Sequence, residues 1–376
     1  MKNGWLTKKL VDVATLQRGF DLPTQDRSSG DVPLVTSSGI GDTVSKSAVH
    51  GPGVATGRSG SIGNVFYIEE DFWPLNTVLY VKDFHGNDPR FVFHLLKNFD
   101  LKRFATGAGV PTLNRNFVHD ELVNVPPLAE QQRIVGLLDK AFSGLATAKA
   151  NAEKNLHNAR ALFESHIQSV FTQRGPGWLE KRLEDVCVIG DGNHSSNYPK
   201  KEELVTKGVP FIRATNLVGG EISDEDMRFL SAEKHAQLKK GHLKTGDILF
   251  TNRGEIGKTA IVDADHDGSN LNSQIAWLRC GESLNNRFLF HVLNSGAIKS
   301  HLELSKNGAA LQQFTIRQIK ELKIPIPPKD QQKVLVFSLD ALAEEVQRLG
   351  QLYERKLTAL GALKKSLLHQ AFTGAL

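Results

Sequence analysis

This chain contains itself twice, and that constrains its fold more than any local motif. Val125-Pro126-Pro127-Leu128-Ala129-Glu130-Gln131-Gln132 returns as Ile326-Pro327-Pro328-Lys329-Asp330-Gln331-Gln332 at a constant offset of 201. Both copies open a helical run of roughly 45 residues, and both runs close on Phe-Thr, at Phe171-Thr172 and Phe372-Thr373. Upstream, Trp5-Leu6 through Val13 matches Trp178-Leu179 through Val186 at an offset of 173. Arg58-Ser59-Gly60-Ser61-Ile62-Gly63 matches Asn252-Arg253-Gly254-Glu255-Ile256-Gly257 at 194, and Leu75-Asn76-Thr77 matches Leu271-Asn272-Ser273 at 196. The offset climbs from 173 to 201, so the second copy carries about 28 extra residues, all in its globular part. A repeat of this length dictates the order globular region, long helix, globular region, long helix.

Local pattern fills in that order. Runs such as Thr77–Val81 and Gln274–Leu278 are β-branched or aromatic and lie between Gly, Asn and Asp clusters, which predicts strands. Leu322-Lys323-Ile324-Pro325-Ile326 alternates as a half-buried strand does, and its proline places it at a sheet edge. The Pro-Pro pair that follows suits a helix's first turn, where the missing N–H would be unpaired anyway. The first long helix carries an apolar stripe through Ile134, Leu138, Ala141, Leu145, Ala148, Ala152, Leu156, Ala159, Phe163, Ile167 and Val170. The second repeats it through Leu335, Leu339, Leu342, Val346, Leu349, Tyr353, Leu357, Leu360, Lys364, Leu368 and Ala371. Spacings of three and four predict two helices packed along a seam, alanine on one facing larger residues on the other. Each helix would span roughly 65 Å.

Few enzyme classes survive. Gly254-Glu255-Ile256-Gly257-Lys258-Thr259 resembles a phosphate loop, but the pattern needs glycine at 252, where Asn252 stands. The matching first-copy segment, Gly60-Ser61-Ile62-Gly63-Asn64-Val65, lacks both lysine and threonine, so a tight turn between strands is the plainer reading. Neither Pro-Pro pair follows the Asn or Asp that an adenine methyltransferase needs, and the dinucleotide glycine motif, His-Glu-x-x-His and Cys-x-x-Cys are missing. The two cysteines, Cys187 and Cys280, have no metal-ligand spacing and fit a reducing cytosol. No membrane span or signal peptide is expected. A net charge of +5 suits a polyanionic partner.

What remains is polar loops that mix Arg, Lys, Asn, Gln and Ser with glycine. Arg suits guanine, Asn and Gln suit adenine, and Ser either donates or accepts. The first-copy candidates are Arg58, Ser59, Ser61, Lys102, Arg103, Asn114, Arg115 and Asn116. Those of the second are Asn193, His194, Ser195, Asn197, Arg213, Thr215, Asn216, Asn252, Arg253, Lys306, Gln312 and Gln313. For any single one, solvated loop polarity is the plainer reading; recurrence in both copies gives them weight together.

The Trp-Leu openings, the Gly-x-Ile-Gly turns, the Pro-Pro-x-x-x-Gln and Pro-Pro-x-x-Gln-Gln helix entries and the Phe372-Thr373-Gly374 close, in order and twice over, resemble the specificity subunit of type I restriction-modification systems. The resemblance covers nearly the whole chain. It implies a mixed α/β (α+β) protein with mainly β target recognition domains at 1–125 and 175–326. Long helices at 126–174 and 327–376 would form an antiparallel coiled coil. It implies a non-catalytic reader of double-stranded DNA, each domain taking half of an asymmetric bipartite target. Two modification (methyltransferase) subunits and restriction (endonuclease) subunits are the implied partners. S-adenosylmethionine, ATP and Mg are implied on those partners, with no cofactor or metal on this chain. A rigid spacer fits a two-headed reader, since half-sites often lie about one duplex turn, roughly 34–36 Å, apart. The rival readings are a self-contained methyltransferase and a helical adaptor that binds only protein.

Overall fold

The structure, a computed structural model, describes residues 4–107, 111–194, 198–306 and 313–376, and its contacts divide the chain into two units. The first comprises residues up to Lys154 and from Tyr353 onward; the second runs from Asn155 to Leu352. Both division points fall inside the long helices.

In the first unit a four-stranded antiparallel sheet runs in the order Thr15–Arg18, Val78–Asp83, Gly53–Gly57, Val65–Ile68. A three-stranded sheet places Val32–Thr36 between Gly39–Val44 and Trp73–Pro74, the last pairing parallel. A two-stranded ribbon joins Leu6–Lys9 to Leu122–Val125. Helix Pro89–Asn98 packs beneath, capped by Asp88, whose carboxylate accepts from the Arg90 and Phe91 amides.

The second unit repeats this plan. Its four-stranded sheet runs Cys187–Asp191, Ile275–Cys280, Ile248–Thr251, Thr259–Ile261, its ribbon joins Leu179–Arg182 to Lys323–Ile326, and its helix is Asn286–Leu293. Pro325 sits in that two-stranded ribbon, as an edge proline should. Most of the extra length falls between Ile212 and Thr251, in the ribbon Leu217–Val218/Glu221–Ile222 and the helix Ala232–Gln237.

The long helices are Leu128–Thr172 and Lys329–Thr373, 45 residues each. Every position of the first stripe is at least half-buried; in the second only Lys364 is exposed, its ammonium over the Phe142 ring at 5.0 Å. In the first unit Ile134 and Leu138, from the start of one helix, share a core with Leu368, Ala371 and Phe372 from the end of the other. In the second unit Ile167 and Phe171 share a core with Leu339. Each unit thus joins the opening of one long helix to the close of the other, the pairing an antiparallel coiled coil requires.

Several sequence motifs turn out to be packing devices. The closing Phe171 meets Phe288 edge-on at 5.7 Å, and Phe372 meets Phe91 at 5.3 Å, against two fully buried rings that occupy equivalent helices. Gly4 and Gly177, at φ of 90° and 82°, lie where a Cβ would touch the rings of Pro127 and Pro328. The glutamine of each Pro-Pro motif is buried. Gln131 Oε1 accepts from the Asp88 amide at 2.9 Å, while Nε2 donates to Asn87 Oδ1 and the Pro126 carbonyl. Gln332 repeats this with the Asn285 amide at 2.7 Å and the Ser283 and Pro327 carbonyls at 3.0 Å. Each lock ties a long-helix entry to the N-cap of a short helix. About two turns further along each long helix, Asp139 binds Arg90 and His94, and Asp340 binds Arg287 and His291. Burial pushes both imidazoles below the ordinary histidine pKa, against the pull of the carboxylates.

Candidate nucleic-acid interface

The glycine turns are built alike. Gly60 and Gly63 have φ of 81° and 89°, and Gly254 and Gly257 have 72° and 97°, values that suit glycine. Each turn joins two antiparallel strands, so Thr259 begins a strand where a phosphate loop would begin a helix. Lys258 is held by Glu255 at 2.7 Å, which completes the case for a plain turn.

In both units the turn lies against the segment entering a short helix. Leu113 N–H donates to the Arg58 carbonyl at 2.7 Å, and Phe314 N–H donates to the Asn252 carbonyl at 2.8 Å. In the first unit this opens a cleft of about 370 Å³ lined by Arg18, Arg58, Thr106, Thr112, Asn114, Arg115 and Asn116. Four of the sequence candidates therefore come together: Arg58, Asn114, Arg115 and Asn116. Asn114 is also the N-cap of Arg115–His119, accepting from the Asn116 amide. Ser59 and Ser61 stand on the adjoining turn, and the Lys102 stem packs on Gly63. Arg103 is otherwise engaged, paired with Glu121 at 2.6 Å and lying over the rings of Phe99 and Phe104.

In the second unit the candidates divide. Arg253 and Gln313 meet: with the Gln313 amide oxygen turned toward the guanidinium, it accepts from Nη2 at 3.1 Å and Nε at 3.2 Å. Thr215 is exposed on the turn Ala214–Asn216. Other candidates serve the fold. Asn216 is fully buried, its amide donating to the Ser223 and Glu225 carbonyls at 3.0 Å. Asn193 is buried and donates to the Lys240 carbonyl at 2.7 Å, and Asn252 is buried behind Arg253. Arg213 is anchored to the Asp226 carboxylate at 2.9 Å. His194 bonds Asp191 at 2.7 Å, and Lys240 reaches the same carboxylate at 3.1 Å. Burial works against ionising Asp191, but these two bonds outweigh it and hold its pKa below the usual range. Burial or internal pairing thus gives Asn193, His194, Arg213, Asn216 and Asn252 places within the fold. Ser195, Asn197 and Gln312 lie outside the described residues, and Lys306 closes the helix Gly296–Lys306 with its side chain outside them too.

The residues that sequence reasoning missed are Arg18 and Thr112 in the first cleft and Lys240 beside Asp191 in the second unit. The repeat held a signal for two of them. Arg18 occupies the position of Asp191 at the 173 offset, and Thr112 that of Gln313 at the 201 offset.

Comparison with known proteins settles the family. The sequence profile described as type I restriction modification DNA specificity domain matches residues 2–155 and again 176–354. The chain belongs to that family. Within the family it is 26% identical over 308 residues to the specificity subunit of the type I restriction enzyme MjaVIII of Methanocaldococcus jannaschii, covering 76% of this chain and 70% of that one. It is 22% identical over 311 residues to the EcoBI specificity subunit of Escherichia coli, covering 76% and 65%. Two solved structures share the fold. One is a chain from a study of complex assembly and conformational transition in a type I R-M system, with TM-score 0.81, 20% identity and coverage of 100% and 99%. The other is the HsdS subunit of Thermoanaerobacter tengcongensis, with TM-score 0.61, 21% identity and coverage of 100% and 98%. The two matched segments place one specificity domain in the main part of each unit. Among the described residues, no helix is long and apolar enough to cross a membrane.

Proposed function

We propose that the chain reads an asymmetric bipartite DNA duplex, one half-site per specificity domain, for a cytoplasmic type I restriction-modification complex. One observation carries the reading: the backbone devices coincide in the two units, whereas the polar side chains at the turns differ. A shared frame with different contact groups is what two unlike half-sites require. Three guanidinium groups at these turns and at the helix entry beside the first strengthen it. Among the described residues Arg58, Arg115 and Arg253 have no carboxylate within ion-pair distance, while Arg90, Arg103, Arg213, Arg279 and Arg287 all do. An arginine left unneutralised at an exposed loop is ready for a base edge or a phosphate.

In this reading the recognition domains occupy 1–125 and 175–326, and the long helices at 126–174 and 327–376 act as ruler and docking surface. Modification subunits would seat on the helices and supply S-adenosylmethionine chemistry on adenine. Restriction subunits would supply ATP- and Mg-dependent cleavage, and this chain would do no chemistry itself. The test is co-expression with a modification subunit and mapping of methylated adenines. Exchanging residues 1–125 for another such domain should alter one half of the motif. Four residues inserted into both long helices should alter only the gap between the halves. A motif unaffected by either change would refute the reading.

A further inference from the structure

One antiparallel backbone bridge recurs in both units, joining Ser59 to Thr112 in the first and Arg253 to Gln313 in the second. The adjoining hydrogen bonds, Leu113 to Arg58 and Phe314 to Asn252, show that the two bridges occupy the same place in the duplicated fold. Yet the first bridge presents two hydroxyl side chains and the second a guanidinium and an amide. The frame is constant here and the chemistry is not.

Arg253 is half-buried on its turn, and Gln313 is exposed beside it. The Gln313 oxygen takes two donors of one guanidinium edge, Nε at 3.2 Å and one N–H of Nη2 at 3.1 Å. A carboxylate could hold that edge as well, but it would cancel the charge; a glutamine holds it and leaves the cation intact. Among the described residues the Nη1 group and the second N–H of Nη2 take no partner, two parallel donors at the outer end of the fork. Only guanine shows two adjacent acceptors, O6 and N7, in the major groove. Adenine shows an acceptor beside a donor, thymine one acceptor, and cytosine a donor. A phosphate is the other partner with two acceptors, and it carries no sequence information.

We propose that Arg253 is a specificity-determining residue of the second unit, reading a guanine in the major groove, and that Gln313 is the positioning residue that aims it. The proposal rests on the DNA-reading function above and goes further, to a base and to the residues that select it.

The test uses the chain complexed with its modification subunit and selection from randomised duplexes, run at several salt concentrations. Arg253→Lys and Arg253→Gln should each reduce discrimination at one G·C position about 10- to 100-fold and leave the other half-site untouched. Gln313→Glu should abolish the same discrimination, because it turns the pair into an ion pair, while thermal unfolding stays at or above the wild-type temperature. Gln313→Ala should weaken it by a smaller factor at the same position. If the Arg253 variants instead lower affinity evenly across sequences and flatten the salt dependence, Arg253 contacts a phosphate and the proposal falls. Undiminished guanine preference in Gln313→Glu overturns the positioning role. A wild-type complex with no sequence preference at all would sink the DNA-reading function itself, an outcome distinct from either.

Discussion

Removing the Gln332 side chain should damage the second unit far more than its position on a polar motif implies. The residue has no exposed surface, and its amide satisfies three groups: the Asn285 N–H at 2.7 Å and the Ser283 and Pro327 carbonyls at 3.0 Å. In Gln332→Ala all three lose their partner where water has little access. A net hydrogen bond contributes about 1 kcal/mol, and an orphaned buried group costs about 1–3 kcal/mol. Three groups therefore give a loss of roughly 3–5 kcal/mol, allowing some relaxation. Asn285 caps Asn286–Leu293, whose Phe288 holds the close of the first long helix, so the damage should spread locally. Amide hydrogen exchange followed residue by residue is the suitable assay, since a chain of two units does not unfold as one two-state body. Asn285 and the first turn of its helix should lose protection by about two to four orders of magnitude, with the first unit unaffected. Gln331→Ala, at the neighbouring exposed glutamine, should change nothing beyond about 0.5 kcal/mol. Equal protection in Gln332→Ala and Gln331→Ala would refute the argument that the lock, and not general helix-entry polarity, is what the motif preserves.

Gly192→Ala should destabilise by about 1–3 kcal/mol or more in thermal unfolding, because its Cβ would lie 2.5 Å from the Asn272 carbonyl oxygen and 2.6 Å from that of Leu271. Gly19→Ala should do the same, with the Leu75 oxygen at 2.2 Å from its Cβ. Acid should weaken the fold before any carboxylate titrates. His94 and His291 have folded pKa values depressed by burial, as do His119 and His235, so the unfolded chain binds protons first. Stability should be full above the unfolded value of about 6.5 and decline as pH falls below it. His94→Gln with His291→Gln should flatten that slope between pH 7.5 and 5 in urea titrations. Arg103→Ala should cost about 1 kcal/mol of stability through its aromatic contacts and half-exposed ion pair, yet leave base preference unchanged in duplex selection.

The repeat made much of the fold legible. Periodicities of two and of three to four are written directly into side-chain order, so the strand at Val78–Asp83, the half-buried stripe from Ile134 to Val170 and the helix limits near Thr172 and Thr373 all follow from it. Constant offsets also separated a spacer that repeats without a gap from globular regions that drift. That distinction belongs to the chain alone, because an insertion shows in numbering before it shows in space.

Burial and partner choice belong to tertiary structure. Nothing in the order of residues says that Gln131 and Gln332 are sealed inside while Gln132 and Gln331 face water, or that Asn216 spends its amide on two carbonyls. Nor does it say that Arg103 and Arg213 are neutralised while Arg58, Arg115 and Arg253, among the described residues, are not. A polar residue takes its role from whichever group the fold brings within about 3 Å, and such groups can lie anywhere along the chain. The duplicated motifs hold each frame together from within. Where the sequences of the copies part, at Ser59 and Thr112 against Arg253 and Gln313, the fold places different chemistry on one shared backbone bridge.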